Sequence, residues 1–401
     1  GISVTLILIL FYQRALFWDE SYYYENVVNF LNPTISHIAF IKDLKGPAGP
    51  AHAYFHAIFH FATKGEGLYV RILNFSFIFL GVFLSDSFKI KNNNNYFNLK
   101  LLLLPSFYPI LGLALTETIP LISSFFIVLN LKKISKIKSK FRVVLLIILI
   151  SLSILGRQQY LVVPIGLIVH QIVNLILINR RIACEHIIIA FSALIFPVIY
   201  FFIWGGIQPP STSFVEKGFS VEHFSLALFI AALFDIIISE GLIKILWNRA
   251  VLLLFVFTLL LQLLFIGEYE YIPFHEITQN TYLEPLHEVS WMVLLLIISS
   301  YYLSVKIFEY FDNITEGNLG SLYILIYLGF LFTNIKINHL FAARYVVPSM
   351  VFLLAIKNEK LSHSPITLDF NLLRGKITKI IVKFGLILVG VVHLISYYNY
   401  E

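Results

Sequence analysis

Two adjacent carboxylates, Asp19 and Glu20, follow the first long apolar stretch, with Trp18 before them and Tyr22, Tyr23 and Tyr24 just after. Neighbouring like charges in a partly desolvated place raise one carboxyl pKa towards neutrality, which suits a general base. The same residues also suit an interfacial helix cap, where acids favour the helix start and Trp and Tyr favour the boundary. Glu117 sits in the turn Thr116-Glu117-Thr118 between two short apolar runs. A hairpin that tight holds its carboxylate at the lipid edge or slightly inside, where an unpartnered charge is costly. Arg157, in the turn Gly156-Arg157-Gln158-Gln159, is a candidate partner, and the pair would fix helix order. Arg157, Lys217, His223, His339 and Arg344 are cations or potential cations. Such groups can grip a phosphate, or they can snorkel to the membrane surface. His52, His56 and His60 fall at helical spacing on one face. That spacing can hold a metal, but the stretch has no carboxylate and no HExxH pattern, so it reads as an interfacial aromatic-polar stripe without a metal.

The elements that must carry these residues follow from composition. Of 401 residues, 58% are apolar and only 13% are charged, against about 45–50% and 25% in ordinary soluble domains. Mean hydropathy is +0.83. Soluble globular, disordered and disulfide-scaffold classes are excluded, and a polytopic helical membrane protein remains. Apolar stretches fall at 2–18, 69–88, 101–115, 119–131, 143–155, 161–179, 187–204, 223–239, 250–267, 290–304, 321–335, 345–356 and 380–397. The expected fold is all-α, with about 11–13 transmembrane helices. Amphipathic interfacial helices follow the first span within 19–68. A first half of the bundle, 69–239, carries the candidate turns, and 240–401 forms a C-terminal bundle.

Lys and Arg favour one set of alternating loops by about two to one, which places 89–100, 132–142, 180–181, 244–249, 305–320 and 357–379 in the cytoplasm. The net charge of +6 is then a topological signal rather than a sign of nucleic-acid binding. The single cysteine, Cys184, allows no disulfide within the chain. The chain opens in an apolar run without a basic leader or cleavage site, so it reads as a first span rather than a signal peptide. All the candidate residues above fall on the non-cytoplasmic side, either an ER lumen or a bacterial periplasm or exterior.

Their order along the chain carries more than each motif alone. Trp18-Asp19-Glu20 ends the first span, Leu115-Thr116-Glu117 closes the third, and Arg157-Gln158 closes the fifth. Trp204-Gly205-Gly206-Ile207 follows the seventh, and the segment 338–345, with Arg344, precedes a late span. This order resembles the polytopic glycosyltransferases of the C-type fold. Within them it is most similar to the dolichyl-phosphate-glucose α-1,2-glucosyltransferases, which add the last glucose to the lipid-linked oligosaccharide. The chain departs from that pattern in three places. Ala342-Ala343-Arg344-Tyr345 keeps the Arg and Tyr but lacks the acid, Asn and His. Gln158-Gln159 replaces Gln-Thr, and Gly205-Gly206-Ile207 runs on into Gln208-Pro209-Pro210.

The resemblance implies a hexosyl transfer, glucose foremost, from a polyprenyl-phosphate sugar to a glycan or lipid-linked oligosaccharide, with inversion. It implies Asp19 as base, with Glu20 second. Arg344 and Arg157, with Lys217 and His223 behind them, would hold the donor phosphate. Glu117, Gln158, Trp204 and His339 would hold sugar or acceptor. No cofactor or metal is implied, because cations can stabilise a single lipid-phosphate leaving group. Two other classes stay open on the residues alone. One is a polymerase or ligase using polyprenyl-diphosphate glycans. The other is a lipid or glycan transporter, for which Asp235 is the one clear mid-span carboxylate.

Overall fold

The computed structural model describes residues 2–11, 16, 19–87, 98–134, 139–178, 183–212, 219–239, 242–246, 248–265, 288–316, 319–336, 343–359, 367–371 and 376–399. The architecture is the all-α polytopic one that the composition requires. Among the described residues six helices are long and apolar enough to cross a membrane: 67–86, 158–178, 184–204, 221–238, 293–314 and 378–395. Shorter apolar helices cover Ile2–Phe11, Arg249–Leu264 and Leu319–Thr333. Outward-facing Phe79, Phe83, Phe191, Phe196 and Phe202 are all exposed. Large aromatic side chains turned outward in such numbers fit a hydrocarbon surround, not water.

The chain forms two compact units, Gly1–Phe214 with Val382–Glu401, and Val215–Ile381. The first holds α1 (Ile2–Phe11), α2 (Asp19–Leu31), α3 (His37–Lys42), α4 (Ala51–Ile58), α5 (His60–Thr63) and α6 (Gly67–Ser87). It continues with α7 (Phe107–Gly112), α8 (Thr118–Ile134), α9 (Lys140–Gly156), α10 (Val162–Ile178) and α11 (Cys184–Trp204). The second holds α12 (Val221–Ile238), β1 (Leu242–Leu246), α13 (Arg249–Phe265), α14 (Glu288–Glu316), α15 (Leu319–Thr333), α16 (Val347–Asn358) and β2 (Thr367–Asn371). α17 (Lys376–Asn399) belongs to the first unit from Val382 onward. The second unit takes in α12, which packs along α14.

In the first unit α8, α9, α11 and α10 pack in sequence as neighbouring helices, and α6 packs on α8. Between α1 and α6 the described residues fold into four short helices, α2, α3, α4 and α5, with α2 lying along α4. Ser36 caps α3 by accepting the Ala39 N–H at 3.3 Å. Gly205, with φ of 68°, ends α11 in the left-handed conformation that a C-terminal cap needs.

The apolar run 101–115 is not one helix. A 3₁₀ turn at Asn98–Leu103 is followed by Pro105 and the six-residue α7, whose residues are all buried. Proline there denies the ladder a donor and breaks it. The segment nevertheless runs antiparallel to α6. The Leu99 N–H reaches Asp86 at 3.2 Å, while Asn74, about 18 Å along the helix, holds the Ile110 and Leu113 carbonyls at 3.0 and 2.7 Å.

In the second unit α13 packs on α14 and α15 on α16. β1 and β2 pair antiparallel, from Leu242 opposite Asn371 to Leu246 opposite Thr367. These strands lie in two loops, 244–249 and 357–379, that the charge count puts on the same side of the membrane, and the pairing requires that they share a side.

Candidate functional site

α2 begins at Asp19-Glu20, where the positive end of the helix dipole favours acids. The two carboxylates have separate fates. Glu20 is 2% exposed and turns inward to α6. There the Arg71 guanidinium donates to it from Nε, at 3.0 and 3.2 Å, and from Nη2, at 2.5 Å. The Ala114 N–H adds a third donor at 2.8 Å. Glu20 therefore clamps three elements: α2, α6 and the turn before α8. The sequence reading ranks it second as a base, but a carboxylate taken up by three donors is better suited to positioning than to proton transfer. Asp19 stands one residue earlier and is partly exposed.

Glu117 and Arg157 meet as the spacing of the two turns allows. The Arg157 Nη2 donates to Glu117 Oε1 at 2.6 Å, and both side chains are buried. Pro120, at the start of α8, lies so close to Gly156 that a Cβ on this glycine would overlap its ring. Gly49 likewise lies against the Leu155 carbonyl with no room for a Cβ. These contacts lock the segment before α4, the end of α9 and the start of α8 together. The Arg157 guanidinium also lies 5.9 Å from the centre of the Tyr23 ring. Tyr23 is one helical turn after Asp19 on α2, so both lie on one face of that helix.

Below this face, α4 brings His52 and His56 into the interior rather than to an interface. They are 3% and 0% exposed, and their ring centres are 4.4 Å apart. The His52 Nε2–H donates to the Ala114 carbonyl at 3.2 Å, because a carbonyl can only accept. Burial pushes His52 down to about 4 and His56 well below the usual imidazole range. His60 bonds instead to the Tyr24 hydroxyl, at 2.9 Å from Nδ1. Among the described residues no group of three or more His, Cys, Asp or Glu side chains could hold a metal.

Trp204, expected to face a sugar, is 7% exposed. Its indole N–H donates to the Ile41 carbonyl at 2.8 Å, and Tyr200 and Phe201 flank the ring. It ties α11 to α3, which leaves little of the ring to offer a ligand. Gln158 lies on the 3₁₀ turn Gln158–Leu161 directly after Arg157.

His223 and Arg344 belong to the second unit. His223 is in the first turn of α12, and its backbone N–H is capped by Ser220 Oγ at 3.1 Å. Arg344 lies on the 3₁₀ turn Ala343–Val346, which packs on α12. It is 5% exposed, and its guanidinium is 5.5 Å from the centre of the Tyr345 ring. Trp18, Lys217 and His339 lie outside the described residues.

Two members of the first-unit cluster escaped the sequence reading. They are Arg71 and Asn74. Both sit in an apolar stretch three residues apart, on one helix face. A charge and an amide so placed inside a span are the available signal. Asn74 links the Ile110 and Leu113 carbonyls, and Thr118 donates to its side-chain oxygen. No protein family, curated protein or solved structure matches the chain.

Proposed function

We propose that this multi-pass membrane protein is a glycosyltransferase. It moves a hexose, glucose foremost, from a polyprenyl-phosphate sugar to a glycan or lipid-linked oligosaccharide on the non-cytoplasmic face. The observation that carries the reading is the division of labour at the start of α2. Glu20 is fixed by Arg71 and the Ala114 N–H, while Asp19 beside it stays partly exposed, one turn from the Tyr23 ring that receives Arg157.

In this reading the acceptor hydroxyl oxygen attacks the anomeric carbon. The bond from that carbon to the phosphate oxygen breaks, and the polyprenyl phosphate leaves with the electron pair. Asp19 takes the hydroxyl proton, and the single displacement inverts the anomeric centre. Arg157 is the cation of the first unit available to the departing phosphate. Glu117 orients Arg157, to which it is bound. Asp235, the residue that would favour transport, sits between Lys306 at 3.1 Å and Lys357 at 2.5 Å. A neutralised helix-to-helix ion pair of this kind does not favour that alternative.

The test is transfer of radiolabelled sugar by the purified chain. Polyprenyl-phosphate glucose and polyprenyl-phosphate mannose are offered beside nucleotide sugars, with a pool of lipid-linked glycans as acceptor. Transfer from a lipid-phosphate donor only, absent in Asp19→Asn, is the expected result. No transfer from any lipid-phosphate donor by a folded protein defeats the reading.

A further inference from the structure

Among the described residues, buried polar atoms with no hydrogen-bond partner occur on two neighbouring segments of the first unit, α4 and the turn that follows α9. They are His52 Nδ1, both ring nitrogens of His56, and the Nε2 amides of Gln158 and Gln159. Such atoms also occur on Ser106, Arg142, Asn174 and Asn334. The two segments meet: Gly49, ahead of α4, lies against the Leu155 carbonyl, and a Cβ on Gly156, two residues before Gln158, would stand 3.8 Å from that of Ala51. Native proteins pair nearly all buried polar atoms, so a cluster of exceptions marks a place where a ligand or ordered water supplies the partners.

The chemistry of the set narrows the ligand. The Gln158 and Gln159 amide nitrogens are donors only. His52 donates through Nε2–H to Ala114, so its Nδ1 carries a lone pair and must accept. Neutral His56 presents one donor and one acceptor in either tautomer. An ionised phosphate only accepts, so it would serve the glutamines and leave His52 Nδ1 without a donor. A hydroxyl group both donates and accepts. Adjacent hydroxyls on one ring can satisfy amide and imidazole together.

We infer that His52, His56, Gln158 and Gln159 form a binding site for the hydroxyl groups of a hexose. The sugar is either that of the lipid-phosphate donor or that of the acceptor glycan. The inference rests on the glycosyltransferase reading only in taking the hexose for a substrate. It assigns His52, His56 and Gln159 a role that the sequence does not suggest.

The experiment is equilibrium binding to the full chain in lipid nanodiscs. Three tritiated probes are used: polyprenyl-phosphate glucose, polyprenyl phosphate without sugar, and a free oligosaccharide pool. Wild type should bind the glucose-bearing lipid at least tenfold tighter than the bare lipid phosphate, or bind the free oligosaccharide. The first result assigns the site to the donor sugar and the second to the acceptor. Gln158→Met, Gln159→Met and His56→Phe should each lose most of that sugar-dependent gain and leave bare lipid-phosphate binding unchanged. Equal affinity of wild type for both lipids, with no oligosaccharide bound, overturns the inference even where a variant fails to fold. So does an equal loss for both lipids in folded variants. Sugar-dependent binding by a protein that transfers nothing would defeat the proposed reaction and leave this site standing. Transfer by a protein whose variants keep full sugar affinity would do the reverse.

Discussion

The Glu20 carboxylate receives the Arg71 guanidinium through two nitrogens, 51 residues apart in sequence, with side-chain exposures of 1% and 0%. Desolvating two charges is repaid only when the geometry is good and the remaining lone pairs are used, and the Ala114 N–H at 2.8 Å supplies that use. Removing one partner leaves the other charge buried without this pairing. Arg71→Ala and Glu20→Gln should each cost about 3–5 kcal/mol of stability, read as a fall in the melting temperature of purified protein. Arg71→Lys keeps the charge but loses the fork, so it should fall between. Wild-type melting in Arg71→Ala would show that the pair does not hold α2 on α6.

Asp19 should behave differently from its neighbour. Asp19→Asn preserves size and removes the proton acceptor. Transfer should fall by roughly 10²–10⁴-fold, the contribution expected of a general base, while melting stays at the wild-type value. Asp19→Asn with full turnover, or with the same loss of stability as Glu20→Gln, would remove Asp19 from the reaction.

The Glu117–Arg157 pair joins the two turns that face each other across α8 and α9. Either Glu117→Gln or Arg157→Gln should both destabilise the chain and stop transfer. The reversed pair, Glu117→Arg with Arg157→Glu, separates the two effects. Melting should recover in part, because the buried charges are again matched. Transfer should not recover, because the cation has left the place facing Tyr23. Recovery of both would make the pair a helix lock and nothing more.

What the sequence made legible was the chemistry that topology exposes. Asp19, Glu20, Glu117 and Arg157 stand out because charges are rare in this chain and these fall at the ends of apolar runs. Loop charge placed 244–249 and 357–379 on one side, and β1 pairs with β2 within or beside those loops. What remained hidden depends on which way a helix faces. Arg71 and Asn74 look like flaws in a span until Glu20 and the 110–118 segment come to meet them. The histidine stripe of α4 looks amphipathic by spacing, yet the stripe faces inward, against Tyr23, Tyr24 and Ala114. Trp204 looks like a sugar platform by residue type, but its N–H is held by Ile41. Run 101–115 has the composition of a span, and only Pro105 hints at the break that the structure shows.

In the second unit Asp235 accepts from Lys306, Lys357 and the Tyr302 hydroxyl, the last at 3.0 Å. Lys306 is buried, whereas the Lys357 side chain is about a third exposed, at 35%. Asp235→Asn should therefore be severe, since it leaves Lys306 buried with only Glu309 at 2.8 Å. Lys357→Ala should cost no more than about 1 kcal/mol, because solvent screens a half-exposed partner. Neither should change the sugar or lipid preference of the protein that remains folded. A large loss in Lys357→Ala without a change in melting would instead give this cluster a part in the activity.

The last expectation concerns pH. His52 touches Ala114, Tyr23 and His56, and it feels Glu117 and Arg157; His56 faces Tyr24, Phe55 and His52. Burial lowers both imidazoles, His52 to about 4 from an ordinary 6.5. A lowered histidine binds fewer protons folded than unfolded, so stability is fully present above 6.5 and falls as pH drops towards 4. His52 alone should contribute about 3 kcal/mol to that fall. Melting temperature should be flat from pH 8 to 7 and should drop steadily below 6.5. His56→Phe keeps ring volume and removes one of the two buried bases, so its acid branch should be shallower. At pH 8 it loses no hydrogen bond within the chain, since neither His56 nitrogen makes one. If wild type and His52→Phe, His56→Phe together share one melting curve from pH 8 to 4.5, the histidines are not the acid-sensitive groups of this fold.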